Sequence, residues 1–269
     1  MQQVVKDLIA DRVRSFFNDR TRGERPVERR GDGLFGPGSV AWKVHGDVTT
    51  MMVGGVAALL MQMLHPSVLA GVWDHSNFRY DMHGRLRRTA RFVALSTYGS
   101  WSEAEEAIAR VKGVHQRVTG SLPDGEPYRA NDPELLTWVH ATEAYCFLEA
   151  WKRFVQPTMS PAQQDRYFLE MRKVALRLGA DDVPASRREI LDYLQSMRRQ
   201  LDVSERTREI IKLLLFPPLQ SVAFMPLQRM MSQAAVDLLP RWASFQCGNS
   251  GLPRPWPDRK RHSRFPANP

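Results

Sequence analysis

Cysteine is almost missing: Cys146 and Cys247 are the two in 269 residues, too few for a secreted fold stapled by disulfides. No apolar run reaches the roughly 20 residues that cross a bilayer as one helix. The longest, Met51 to Leu64, is interrupted by Gly54, Gly55 and Gln62 and reads as a buried helix. An uninterrupted apolar leader is missing as well. Met1 to Phe17 interleave Val4, Leu8, Val13 and Phe16 with Asp7, Asp11, Arg12 and Arg14, the pattern of an amphipathic helix and not of a signal peptide. The expectation is a cytoplasmic protein without a transmembrane segment. Lysine is scarce among the cations, seven of 38, so 31 are Arg against 29 acidic residues. Arginine favours planar, bidentate partners such as carboxylates and phosphates.

Whole classes of motif are missing too. There is no Gly-Lys-Ser/Thr phosphate loop, no cysteine pair at zinc spacing and no His-Glu-x-x-His, which removes support from common hydrolases and nucleotide-transfer enzymes. Gly31, Gly33 and Gly36 have the dinucleotide-binding spacing, but the charged stretch Arg25 to Arg30 stands where a strand is needed and Pro37 interrupts the turn. A di-iron bundle needs paired Glu-x-x-His motifs. Here Glu143 follows His140 by three residues, the reverse order, and no second copy exists.

What is present is helical period from end to end, with no strand series and no repeat. With 43% hydrophobic and 25% charged residues, the chain reads as an all-α protein, a single helical domain over 1–247 followed by a basic, Pro-rich tail over 248–269. The tail reads as a solvated terminus rather than a nucleic-acid arm. Ser102 to Glu105 is expected to cap a helix whose stripe Ala104, Ile108, Val111, His115 and Val118 ends at Gly120. Asp132 with Pro133 opens the next, stacking Leu136, His140, Glu143, Phe147 and Phe154. Ser160 with Pro161, Ser186 with Glu189, and Ser204 mark three further helix starts.

Two features carry chemistry. One is a set of histidines on apolar helical ground: His65, His75, His83, His115 and His140, with His45 earlier and His262 in the tail. Such an imidazole can ligate haem iron or be a satisfied core residue. The other is the arginine cluster Arg79, Arg85, Arg87, Arg88 and Arg91, which can hold anions such as propionates or form a solvated face.

The ordered strings GLFGPGSVAWKVHGD, QMLHPSVLAGVWDHSNF, HGRLRRTARFV, ARVKGVHQRVTG and YRANDPELLTWVHATEAYCFLEAWKRF resemble the latex-clearing-protein and MpaB-type oxygenase family over roughly residues 30 to 240. The resemblance implies a globin-like helical core that binds b-type haem non-covalently and uses dioxygen. It also implies a distal Arg-x-x-Lys-Thr motif, matched here by Arg85, Arg88 and Thr89, with arginine in place of the lysine that could cap the iron. The motif histidine that follows, His115, is the first choice for the iron. His140 is second, and His65, in the shared His-Pro pair, is a further candidate to touch the cofactor. A small apolar or aromatic substrate, dioxygen and an electron donor are the partners expected. A peroxidase-like or sensor protein, and a family member that lacks the cofactor, are the alternatives.

Overall fold

The computed structural model describes residues 26–216 and 225–248. The expected N-terminal amphipathic helix and the basic tail with His262 lie outside them. Among the described residues the chain is all-α apart from one hairpin. The helices are α1 (Val40–Val44), α2 (Val48–Gln62), α3 (Pro66–His75), α4 (Met82–Tyr98), α5 (Trp101–His115), α6 (Pro133–Phe154), α7 (Pro161–Leu178), α8 (Arg187–Ser196), α9 (Glu205–Leu215), α10 (Met225–Leu238) and α11 (Arg241–Gly248). A 3-10 turn, Met197–Gln200, follows α8.

The centre is the antiparallel pair α2 and α6. Gly54 lies against Cys146 and Phe147, while Gln62 donates to the carbonyl of Val139 at 3.2 Å. A Cβ on Gly54 would come within 2.9 Å of the Cys146 carbonyl oxygen and of the Phe147 ring, so glycine is what lets the two helices approach this closely. Around them α7, α8 and α10 pack against α6 or α2. They close a core in which Leu60, Met61, Trp138, Leu148, Tyr167 and Phe168 are buried. The apolar segment over Met51 to Leu64 is thus a core helix. No single described helix is long and apolar enough to cross a membrane, and α2 turns into α3 through 106° at His65 and Pro66.

Several helix starts follow from local chemistry. Asp132, Ser160, Ser186 and Ser204 are N-caps, each side chain accepting an N–H of the first turn. At α8 the box is incomplete, because Glu189 accepts from the Ala185 N–H at 2.7 Å instead of from Ser186. Two expectations need correction. The cap of α5 is Ser100 with Glu103, not Ser102 with Glu105: Glu103 Oε2 accepts from the Ser100 N–H at 2.8 Å, so the helix begins one residue before Ser102. It also stops at His115, short of Val118. From there Thr119–Ser121 pairs antiparallel with Pro127–Arg129 as β1 and β2, around Gly125 at φ 92°. This hairpin is too short to leave a strand period in the sequence. Tyr128 docks it on α3 by donating to Asp74 at 2.8 Å.

Candidate active site

Helix α4 begins at Asp81, whose side chain accepts from the Gly84 N–H at 2.8 Å. Gly84 leaves room for that cap: a Cβ there would come within 2.0 Å of the Asp81 carboxylate and push it aside. That cap sets the rotation of the next turn. Arg85 turns inward and is half-buried, whereas Arg88 and Thr89 are exposed. Arg88 reaches back to Asp81 at 3.5 Å, and the Thr89 hydroxyl donates to the Arg85 carbonyl at 3.2 Å. The three residues of the expected motif are therefore split between two environments.

Helix α5 runs beside α4, and its last residue, His115, comes close enough to Arg85 for the guanidinium charge to act on the imidazole. His115 is half-buried, and burial first, then Arg85, pushes its pKa below 6.5. Arg85 is itself pushed down to about 10, mainly by burial and secondarily by Arg88. Neither side chain has a hydrogen-bond or ion-pair partner among the described residues. A half-buried guanidinium with no carboxylate is uncommon, since buried charge is ordinarily paired.

His140 and Glu143 lie one turn apart on α6. His140 is buried and pushed down to about 4, and Glu143 is pushed up to about 7, both by desolvation. They too lack partners among the described residues.

The remaining histidines are placed differently. His65 is the N-cap residue of α3 and buried, its ring 6.4 Å from Trp138, with its Nδ1 and the Trp138 indole N–H both unbonded. His75 donates to the Thr119 carbonyl at 3.1 Å. His45, at the end of α1, is fully engaged: Nδ1 lies 2.8 Å from Thr97 Oγ1 and Nε2 lies 3.0 Å from the Tyr167 hydroxyl. Burial pushes it down to about 3. Neither Thr97 nor Tyr167 stands in a motif of the sequence, so this network was invisible there.

Among the described residues no three His, Cys, Asp or Glu side chains converge as a metal cage. The donors on offer are single imidazoles. A haem needs one such nitrogen from the protein and cations for its propionates. His115, neutral and unbonded, with the uncompensated Arg85 beside it, fits that requirement.

The family model for the ER-bound oxygenase mpaB/B' and rubber oxygenase catalytic domain matches residues 42–266. The chain is also similar to the uncharacterized protein Mb2261 of Mycobacterium bovis and the uncharacterized protein Rv2237 of Mycobacterium tuberculosis. Each is 24% identical over 176 residues, which cover 63% of this chain and 67% of the relative. No solved structure matches the chain. The matched family model spans most of the chain, including α1 from Trp42 onward and every later described helix, and on that ground the protein belongs to the mpaB/rubber oxygenase catalytic-domain family.

Proposed function

We propose that this chain is a haem-dependent oxygenase that uses dioxygen on a small apolar or aromatic substrate. Support comes from one juxtaposition: Arg85 on α4 and His115 on α5 meet half-buried and without partners, in a chain of an oxygenase family. His115 would hold a b-type haem through one ring nitrogen. Bound there, that group supplies redox-active iron for dioxygen chemistry.

The protein's own contribution is binding and electrostatics. Desolvation keeps His115 neutral, the form that ligates. Arg85 remains cationic even at its lowered value of about 10, so it offers fixed N–H donors to an anionic or polarised oxygen. Arg88, tied to Asp81, and Thr89, bonded to its own helix, stand at the exposed rim and support the placement of Arg85. With arginine at position 88, no lysine amine is offered there as a cap for the iron. An external electron donor completes the requirement.

The test is the ultraviolet-visible spectrum of protein purified from haem-supplemented cells, as isolated and after dithionite with carbon monoxide. A Soret band at about one haem per chain is expected. In His115→Ala that band is expected to vanish while the helical content stays. A variant that keeps full haem and an unchanged spectrum overturns the assignment. Turnover with peroxide but not with dioxygen plus reductant would move the reading to a peroxidase.

A further inference from the structure

His115 is the last residue of α5, on a turn that packs loosely. Lys112, Val114, Gln116 and Arg117 are exposed, and a Cβ on Gly113 would meet nothing within 4 Å among the described residues. An open groove of about 340 Å³ runs between this turn and α7, bridged by Lys112, which donates to the Arg177 carbonyl at 3.3 Å. A helix end so placed frays unless something beyond the helix ties it down. Here the tie is the hairpin that follows. The Val118 N–H donates to the His115 carbonyl at 3.1 Å, and the Val118 carbonyl accepts from the Ala130 N–H at 2.9 Å, one residue past β2. Successive backbone hydrogen bonds thereby join His115 to both strands.

The hairpin is in turn fixed to α3. Asp74 and His75 follow Gly71 by three and four residues, which puts all three on one face of that helix. Tyr128, 3% exposed, donates to Asp74 Oδ2 at 2.8 Å, and His75 Nε2 donates to the Thr119 carbonyl at 3.1 Å. A Cβ on Gly71 would lie 3.4 Å from Val118 and 3.8 Å from the Tyr128 ring. On Gly120 it would come within 2.6 Å of the Tyr128 hydroxyl, so glycine there leaves that hydroxyl its path to Asp74. Arg206 of α9, over the Trp73 ring at 5.1 Å, lies 3.7 Å from the other Asp74 oxygen. Asp74 thus takes a hydrogen bond from β2 and a cation from α9.

We propose that Asp74 and Tyr128 are positioning residues for His115: their hydrogen bond latches the hairpin to α3 and so holds the imidazole in place beside Arg85. The proposal rests on the haem reading above for the role of that imidazole, but the latch is measurable without haem. Groups behind a metal-binding histidine ordinarily orient it through its second ring nitrogen. This latch acts through the backbone.

The test is Tyr128→Phe in the full chain, which keeps the ring and loses the hydroxyl. In the haem-free protein, amide hydrogen exchange of Gln116, Arg117 and Val118 is expected to quicken about five- to tenfold, the share of one hydrogen bond. In the haem-loaded protein the iron–histidine stretching band of the ferrous form, read by resonance Raman, is expected to shift or broaden. Asp74→Leu should match Tyr128→Phe, whereas Asp74→Asn keeps an acceptor for the hydroxyl and should behave as the parent. Tyr98→Phe, which loses a comparable bond to the Trp42 carbonyl at 3.0 Å at the C-terminal end of α4, should move neither readout. Unchanged exchange in Tyr128→Phe overturns the latch. Faster exchange with an unchanged band overturns the positioning of His115 and leaves the hairpin a purely structural part. A parent chain that takes up no haem overturns the haem reading alone, and the latch then stands or falls on the exchange rates.

Discussion

Two buried regions of this molecule treat polar groups in opposite ways. Where α1 meets α4 and α7, buried polar side chains bond one another and the backbone: His45 bonds Thr97 and Tyr167, and Glu170, 4% exposed, accepts from the Ala41 N–H at 2.9 Å and from Arg166 at 2.8 Å. Between α4 and α5, Arg85 and His115 have no hydrogen-bond or ion-pair partner among the described residues, and on α6 the same holds of His140 and of Glu143, whose charge reaches Tyr167 of the first region. The first region holds the fold, because satisfied buried polar networks rigidify and specify packing. The second set forgoes that gain, since donors and acceptors without partners add nothing to the specificity of packing. A histidine count does not separate the two regions; the state of the ring nitrogens does.

The comparison breaks if the two histidines behave alike. His45→Ala opens a cavity and strips bonds from Thr97 and Tyr167, so it is expected to cost about 3–4 kcal/mol in urea unfolding. His115→Ala, by contrast, should leave the unfolding midpoint of the haem-free protein nearly unchanged. Equal losses in both would mean that His115 belongs to the framework.

The glutamates sharpen the same contrast. Glu170→Leu leaves the Ala41 N–H without its acceptor and is expected to destabilise by about 2–3 kcal/mol, little of it from Arg166, which is 65% exposed. Glu143→Leu removes an uncompensated carboxyl and is expected to stabilise by about 1 kcal/mol. Thermal midpoints of the two variants should therefore move in opposite directions, and a shared direction would contradict the assignment of Glu143 to an unsatisfied site.

A smaller effect concerns pH. The folded pKa of Glu143 is raised from 4.5 to about 7, so the stability tied to its protonated form is full below 4.5 and lost as pH rises through 7. His140 and His45 are depressed from 6.5 to about 4 and about 3, so their contribution is full above 6.5 and lost as pH falls through those values. In Glu143→Gln only the first loss disappears. The gap in unfolding free energy between this variant and the parent should widen from pH 4.5 to 7, and a constant gap would show that Glu143 titrates normally.

Much of this was legible in the residues. Spacing and caps identified the all-α class, the starts at Asp132, Ser160 and Ser204, and the core helix over Met51 to Leu64, because helix initiation and amphipathic period are local properties. Motif order pointed to the oxygenase family. The hairpin after His115 was hidden, since three residues per strand leave no period to read. The start of α5 was misplaced by two residues, because Ser100 and Ser102 each stand three before a glutamate and only backbone geometry chooses between them.

The sequence by itself therefore determined which segments are helical and which chemical groups are available. Only the tertiary structure decided which of those groups are answered. Hydrogen bonding and desolvation depend on neighbours brought from distant helices, so His45 could not be told from His140, nor Glu170 from Glu143, until α1, α6 and α7 came together.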